Sequence, residues 1–459
     1  MIHLNAFDMA CAGHQSPGLW RHPEDQSFRY KDLEYWTSLA RLLEAGGFDS
    51  LFIADVLGAY DVYQGSADAA VTDGVQVPVN DPLLMVSAMA AVTSHLGFGV
   101  TVSSTYEQPY ALARKFGTLD HLSKGRVGWN IVTSYLDSAA RNMGRDRQVP
   151  HDERYQAAEE FLEVCYKLWE SSWEDGAVVR DKARGVFADP GKVHPVGHQG
   201  RYFSVPGVFL CEPSPQRTPL LFQAGASASG LAFAARHAEA VFFIEPRPEL
   251  LRPKVARLRE LAKGQGRDPR SLKVFPLMTV VTAATDAEAR AKLADYQRYA
   301  SYDGALALYG GWTGLDRSGY DPDRPLRYAD TDAMRSALET FTTAEPAREW
   351  TPREIARFVG IGGRGPVVAG GPGTVADEME RWISEADADG FNLPYAITPG
   401  TFQDIVEHLV PELRARGLLR TAYEGSTLRE SLYGAGQARL REDHPGARYR
   451  RNQADWSAP

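Results

Sequence analysis

The sequence predicts an α/β fold, a TIM (β/α)8 barrel with long loop insertions and a C-terminal tail. Short apolar runs alternate with amphipathic helical stretches through most of the chain, which is typical of parallel strands joined by crossover helices. Eight such runs occur. This number of strands favours a closed barrel over the alternative, an open doubly wound sheet.

The predicted elements follow one another in chain order. We expect strands over residues 3–9, 50–55, 97–105, 127–133, 219–225, 240–245, 274–283 and 390–396, and helices over residues 31–45, 82–95, 110–122, 152–169, 229–237, 253–263, 287–300 and 375–386. Ala45-Gly-Gly-Phe-Asp and Ala388-Asp-Gly-Phe-Asn resemble each other, and in both a glycine stands between a helix and a strand. Glycine ends a helix at low cost because it tolerates a left-handed backbone.

Three segments rich in glycine, proline and polar residues interrupt the alternation. They lie at about 56–81, 171–215 and 301–373, within a single barrel domain predicted over residues 1–419. Long loops at the carboxyl ends of barrel strands build active sites, so we interpret these insertions as lid or pocket segments. For 171–215, surface decoration is an equal alternative. Residues 420–459 lack a core pattern and are predicted to pack on the barrel or on a partner subunit.

Composition and charge exclude several functions. The 459 residues include 50 Lys and Arg against 59 Asp and Glu, a formal net charge of −9. Nucleic acid and anionic membranes require clustered cations, so neither is a predicted partner. The three cysteines are widely spaced, which predicts neither a disulfide framework nor a metal site. Reduced thiols favour a cytoplasmic location.

Polar residues at strand ends and inside strands are the first candidates for a binding site. Asp55 closes the second strand, and Asn130 interrupts an apolar strand. Thr101 alternates with Val100 and Val102, so it is predicted to face the barrel interior. Unpaired buried polar groups cost about 1–3 kcal/mol each, and a polar ligand would supply partners. The alternatives are capping and internal hydrogen-bond networks.

A second group of candidates suits a phosphate. Gln223-Ala-Gly-Ala-Ser-Ala-Ser-Gly leads from a strand into a helix, where backbone N–H groups and the Ser227 hydroxyl favour an anion. His151 and Tyr155 are four residues apart and share a helix face. Gly360-Ile-Gly-Gly-Arg-Gly has the spacing of a dinucleotide fingerprint, but Pro366 and an apolar run follow it instead of a helix. We interpret it as a loop, with an anion-binding role as the weaker alternative.

Longer motifs carry a family resemblance. They include Phe7-Asp-Met-Ala-Cys-Ala-Gly-His, Leu119-Asp-His-Leu-Ser-Lys-Gly-Arg, Trp129-Asn-Ile-Val-Thr-Ser, His151-Asp-Glu-Arg-Tyr and Pro399-Gly-Thr-Phe. Over about the whole chain, the sequence resembles the flavin-dependent monooxygenases of the nitrilotriacetate, dibenzothiophene-sulfone and pristinamycin family, within the bacterial luciferase-like superfamily. Tyr60-Asp-Val-Tyr and Gln76-Val-Pro-Val-Asn-Asp-Pro make it most similar to the long-chain alkane monooxygenase branch.

The resemblance implies a luciferase-like TIM barrel and a two-component enzyme. FMN, supplied as FMNH2 by a separate NAD(P)H-dependent flavin reductase, would react with O2 through a flavin (hydro)peroxide and insert one oxygen atom into a small organic substrate. Asp55, Thr101, Asn130, His151, Tyr155 and Ser227 match FMN contacts, the last three at the phosphate. His14, Tyr60, Gln76 and Tyr135 match catalytic positions, His14 and Tyr135 for hydrogen bonding or proton handling. The resemblance also implies a homodimer or homotetramer.

One departure from the alkane-type sequences limits what can be inferred about the substrate. Alkane-type members carry histidine where this chain has Tyr135 and Leu308, so alkane hydroxylation is not inferred. Insertion residues such as Leu57, Tyr60 and Trp312 favour a mostly apolar or aromatic substrate. Three alternatives stay open: a deazaflavin-dependent hydride-transfer oxidoreductase of the same superfamily, a glycosidase using Asp55 and Glu245, and a non-catalytic flavin-binding protein.

Overall fold

Eight parallel strands form the centre of the computed structural model, which describes residues 1–225, 227–325 and 350–450. The strands are His3–Met9, Ser50–Ala54, Gly97–Ser103, Val127–Val132, Leu220–Ala224, Ala240–Phe243, Lys273–Pro276 and Gly390–Pro394. They are numbered first to eighth here, and the sheet runs from the seventh through the first to the eighth. A parallel bridge between Leu277 and Asn392 brings its two ends together, and Met278 N donates to Asn392 O over 3.1 Å. The predicted barrel is confirmed.

Helices cover the outside of this barrel. They are Leu33–Gly46, Leu83–Ala91, Pro109–Leu122, His151–Tyr166, Ala228–His237, Pro248–Gly264, Asp286–Gln297, Pro372–Ala386 and Val410–Ala415. Val100 and Val102 belong to the apolar cluster between strands and helices, whereas Thr101 lines an interior cavity. The predicted orientation of the third strand is therefore confirmed. None of the described helices is both long and apolar enough to cross a membrane.

One predicted strand is wrong as a single element. The segment 274–283 divides into Lys273–Pro276, which belongs to the barrel, and Thr279–Thr282, which pairs with Val367–Gly370. Pro276 cannot donate to the barrel ladder because it lacks an N–H group, and the barrel hydrogen bonds that follow it are those of Leu277 N with Phe243 O and Met278 N with Asn392 O. The second strand then pairs with a segment about ninety residues later, a partner that local alternation does not reveal.

The three insertions differ in their relation to the barrel mouth. Helices Asp68–Asp73, Tyr302–Thr313 and Pro352–Val359 belong to the first and third insertions, and residues of both insertions line the cavities described below. Within 171–215, two antiparallel pairs form, Val178–Asp181 with Val186–Ala188 and His198–Gln199 with Ser204–Val205. No residue of 171–215 is among the described residues that line those cavities, which favours the surface alternative for this segment.

The start of the C-terminal segment fills the amino-terminal end of the barrel. Helix Leu428–Tyr433 places Leu428 and Leu432 in the interior cluster with Phe222 and Phe275. Close approach to the third strand requires glycine, since a Cβ on Gly97 would lie 2.4 Å from Leu428 Cδ1. The last part of the predicted tail, 451–459, lies outside the described residues.

A buried ion pair anchors the same helix. Arg429 donates from Nε and Nη2 to the Glu239 carboxylate over 2.7 and 2.9 Å, and neither side chain is more than 4% exposed. Glu239 also accepts from the backbone N–H of Leu221 over 3.0 Å. Removal of one partner alone would leave the other charge buried and uncompensated.

We expect Arg429→Met to lower the free energy of unfolding by about 3–5 kcal/mol, because Glu239 stays buried without its cation. The double variant Glu239→Gln with Arg429→Met removes both charges and should recover most of that loss. Urea unfolding of the parent, Arg429→Met, Glu239→Gln and the double variant measures the cycle, with Arg448→Met as an exposed control. Equal losses in the single and double variants would contradict this role.

Candidate active site

Two joined cavities open at the carboxyl ends of the barrel strands. The outer cavity has a volume of about 230 Å³ and the inner cavity about 150 Å³. The residues that line both are Asp55, Val56, Val132, Tyr135, Ala224, Phe242, Ile244 and Arg364. In a TIM barrel this end is where active sites form.

The outer cavity brings together the three residues predicted to bind phosphate. Ser227 caps helix Ala228–His237, where its Oγ accepts from Gly230 N over 3.1 Å. The same Oγ lies 3.3 Å from His151 Nε2, and the rings of His151 and Tyr155 are 5.2 Å apart. A Cβ on Gly225 or on Gly230 would lie 3.0 Å from Tyr155 Oη. Small residues therefore keep this concave surface open at a helix N-terminus.

The inner cavity contains Thr101 and Asn130 above an aromatic floor. Asn130 Nδ2 donates to Thr101 Oγ1 over 2.9 Å, and Asn130 Oδ1 has no hydrogen-bond partner within the described part of the chain. Phe52 and Phe242 lie beneath them, with ring centres 4.2 Å apart. A ligand that reaches this floor would meet a flat apolar surface with polar groups at its edge.

A chain of hydrogen bonds forms one wall of the inner cavity. Tyr60 Oη donates to Gln76 Oε1 over 2.9 Å, so the 2.6 Å contact between the two phenols is donated by Tyr135. Gln76 Nε2 donates to the backbone oxygen of His14 over 3.0 Å. The four predicted catalytic residues are thus adjacent, and Gln76 has a left-handed backbone with φ of 50°. Such strain in a residue other than glycine persists where surrounding contacts enforce it.

Burial keeps these groups neutral at ordinary pH. It raises the pKa of Tyr135 to about 12, and it raises the pKa of Tyr60 well above its usual range. The same desolvation lowers the pKa of His14 to about 3. At neutral pH the two tyrosines are hydrogen-bond donors, and His14 is a neutral imidazole.

Asp55 lines both cavities and titrates in the physiological range. Burial, with a smaller contribution from the charge of Asp81, raises the pKa of Asp55 to about 7. Glu245 lines neither cavity among the described residues, and its Oε1 accepts from Lys254 Nζ. The paired-carboxylate arrangement of the glycosidase alternative is therefore not present.

Several lining residues were not singled out as site residues from the sequence. Arg154, Gln223 and Asn392 line the cavities, as does Arg364 from the loop that follows helix Pro352–Val359. That loop is the glycine-rich segment 360–366, and it leads directly into strand Val367–Gly370 and not into a helix, as predicted. Arg154 is three residues from His151 in one helix, a spacing that could have indicated a shared face.

Comparison with known proteins establishes the class. A family model described as luciferase-like monooxygenase matches residues 7–388. The chain is 56% identical over 449 residues to the dimethyl-sulfide monooxygenase of Hyphomicrobium sulfonivorans, covering 98% of this chain and 94% of that protein. The crystal structure of DmoA from Hyphomicrobium sulfonivorans superposes with a TM-score of 0.92 at 54% identity, over 100% of this chain and 99% of that one.

Two further proteins support the same class. The long-chain alkane monooxygenase of Geobacillus thermodenitrificans is 51% identical, with 98% of each chain covered. A crystal structure of riboflavin lyase with modified FMN and riboflavin superposes with a TM-score of 0.92 at 38% identity, covering 98% of this chain and 100% of that one. The chain belongs to the luciferase-like monooxygenase family. It is a monooxygenase enzyme, and its relatives include the long-chain alkane monooxygenase branch that the sequence motifs indicated.

The Asp55 carboxyl gives a testable pH dependence. Because its pKa is raised in the folded protein, the native state binds more protons than the unfolded chain between about pH 4 and about pH 7. Asp55 therefore destabilises the native state increasingly as pH rises through this range. We expect Asp55→Asn to gain stability over the parent protein from pH 5 to pH 8, measured by urea midpoints.

Two comparisons make this measurement specific. Asp8, whose pKa burial also raises to about 7, is present in both proteins and cancels in the difference. Asp146 is exposed, so Asp146→Asn serves as the control and should show a constant difference across pH. Parallel pH curves for the parent protein and Asp55→Asn would contradict the raised pKa.

Proposed function

We propose that this monooxygenase is the oxygenase component of a two-component system. It takes up FMNH2 from a separate NAD(P)H-dependent flavin reductase, uses O2, and inserts one oxygen atom into a small, mostly apolar or aromatic substrate, with water as the other product. The observation that carries the proposal is the pair of joined cavities. The outer cavity has a surface suited to an anion, formed by Ser227, His151 and Tyr155, and the inner cavity has the aromatic floor of Phe52 and Phe242. A cytoplasmic homo-oligomer is part of the same proposal.

The outer cavity suits the phosphate of FMN. Ser227 and the first N–H groups of its helix favour an anion, because unpaired N–H groups and the helix dipole point there. Tyr155 Oη lies at the same surface, and Gly225 and Gly230 leave room that a side chain would fill. We assign Ser227, Tyr155 and His151 to the phosphate.

The inner cavity suits the flavin ring. Asn130 Oδ1 is a buried acceptor without a partner among the described residues, and a flavin ring edge presents N–H donors as well as carbonyl acceptors. We assign Asn130, Thr101 and Asp55 to ring contacts. Reduced FMN, when bound, supplies the two electrons that the reaction with O2 requires.

The protein residues then orient the reactants, exclude water and position protons. Tyr135 and Tyr60 stay protonated, so they hold protons at their Oη atoms instead of acting as bases. Gln76 fixes the direction of the Tyr60 hydroxyl through its Oε1. Leu57 and Trp312 add apolar surface from the two insertions that line the cavities, which supports a substrate with a large apolar part.

Loss of a phosphate contact should weaken FMN more than riboflavin. We expect Ser227→Ala and Tyr155→Phe each to raise the Kd of FMN by about tenfold, since hydrogen bonds to a charged group contribute about 1.5–3 kcal/mol. Fluorescence titration with FMN and with riboflavin measures the ratio. Thr285→Ala removes a helix cap elsewhere and should leave the ratio unchanged. Unchanged FMN affinity in both site variants would remove the phosphate assignment.

The phenol pair should control coupling of oxygen use to product. We expect Tyr135→Phe to increase the fraction of consumed O2 that is released as H2O2 several-fold, with FMN affinity changed by less than about twofold, because the change removes one hydroxyl, which bonds Tyr60, and keeps the ring. Oxygen-electrode and peroxide assays measure it. Tyr63→Phe is the matched control, since Tyr63 bonds Asp303 nearby without lining either cavity. Equal coupling in Tyr135→Phe and the parent protein would make Tyr135 a spectator.

The overall proposal is tested by a coupled assay. Protein, FMN, NADH and a generic flavin reductase are incubated with candidate sulfides, aromatics and aliphatics, and products are analysed by mass spectrometry under 18O2. Gain of one labelled oxygen atom supports the proposal. No labelled product here, together with substrate reduction when a reduced deazaflavin replaces FMN, would instead support the deazaflavin-type hydride transfer.

A further inference from the structure

A buried arginine with unused donors lies where the two cavities join. Arg364 is 4% exposed and lines both cavities. Its Nε and Nη1 atoms are buried and have no hydrogen-bond partner among residues 1–225, 227–325 and 350–450. The side chain comes from the glycine-rich loop 360–366, to which the proposed function assigns no role.

The groups around Arg364 leave its guanidinium charged and available to a ligand. Its guanidinium carbon lies 5.5 Å from the centre of the Trp312 ring, which supports the cation on one side. Burial lowers the pKa of Arg364 to about 10, while the nearby groups Glu245 and Tyr135 raise it, so the guanidinium is charged at neutral pH. Glu245 itself accepts from Lys254 Nζ.

Two buried arginines with a structural role, Arg126 and Arg429, differ from Arg364 in that their nitrogen donors are used. Arg126 is also buried, and it donates from Nε to Ser123 O, from Nη1 to Leu96 O and from Nη2 to Ala90 O. Arg429 likewise donates to a carboxylate and to backbone oxygens. A buried guanidinium with two unused nitrogen donors is unfavourable in a protein without ligand, because the desolvation of the charge is not compensated.

We propose that Arg364 is a second anion-binding position, at the junction of the two cavities, where it donates to an anionic acceptor group of the bound reactants. Two sources fit this chemistry, the acid group of an otherwise apolar substrate, such as a carboxylate or sulfonate, and the reduced flavin ring, which loses a proton near neutral pH. Ser227, Tyr155 and His151 line only the outer cavity, whereas Arg364 also reaches the inner one beside Trp312. This position beside the inner cavity favours a ligand group other than the FMN phosphate. Binding of the reduced flavin ring by Arg364 rests on the proposed function, whereas binding of the acid group of a substrate does not require it.

The first experiment uses matched anionic and neutral probes. Isothermal titration compares benzoate with benzamide, and hexane-1-sulfonate with hexan-1-ol, on the protein with and without oxidised FMN. The parent protein should bind each anion at least about tenfold more tightly than its neutral partner. Arg364→Met should abolish this preference, and Arg364→Lys should retain part of it. Arg357→Met removes an exposed charge from the preceding helix and should preserve it.

The second experiment distinguishes the flavin source. Affinities of oxidised and reduced FMN are measured anaerobically for the parent protein and Arg364→Met. A loss of about tenfold confined to reduced FMN, with anion preference unchanged, assigns the acceptor to the flavin ring. If neither anion preference nor reduced-FMN affinity changes, the proposal is overturned. Anion binding by the FMN-free protein keeps this result separate from a failure of the proposed flavin function.

Stability separates ligand binding from a structural role. Because the Arg364 donors are unused, Arg364→Met should leave the urea midpoint of the FMN-free protein unchanged or higher. A lower midpoint together with unchanged binding would show that Arg364 supports the fold, and it would overturn the proposal. Arg364→Lys retains the charge and provides a folded comparison for each binding measurement.

Discussion

The parallel pairing of eight strands is the constraint on which the rest of the structure depends. Parallel ladders bring the carboxyl ends of all strands to one end of the barrel, whatever their separation in sequence. Asp55, Tyr135 and Ala224 follow or end three different strands and line the same cavity for this reason. Backbone hydrogen bonds between the strands therefore position the residues of the active site, and the side chains determine which ligands the cavity accepts.

The two ends of the barrel differ in how their buried polar groups are paired. At the amino-terminal end, Leu428 and Leu432 fill the interior, and the Arg429–Glu239 pair satisfies buried charge. At the other end, polar atoms of Asn130 and Arg364 have no partners among the described residues. Buried polar groups are usually paired, so unmet ones concentrated at the cavities indicate that a ligand completes them. The amino-terminal end of the barrel therefore contributes stability, and the opposite end provides groups that can bind a ligand.

Neutral donors dominate the wall beside the proposed flavin site. In this wall, Tyr135 donates to Tyr60, and Tyr60 donates to the side-chain oxygen of Gln76. The Gln76 amide in turn donates to a backbone oxygen. Such a wall is neutral, so it introduces no charge that competes with an anionic reactant. Arg364 then provides a fixed positive charge near this wall. This division between neutral donors and one cation suits a reaction in which negative charge develops in an apolar space.

The sequence by itself determined the barrel class, the order of its strands, the inward face of Thr101 and the family. These depend on local periodicity and on short motifs, which neighbouring residues in the chain carry. Only the tertiary structure decided that residues 274–283 form two strands, that Tyr60 meets Tyr135, and that Arg364 reaches both cavities. Each of these depends on a partner far away in sequence, and neither hydrophobic pattern nor residue spacing specifies which distant segments will pack together.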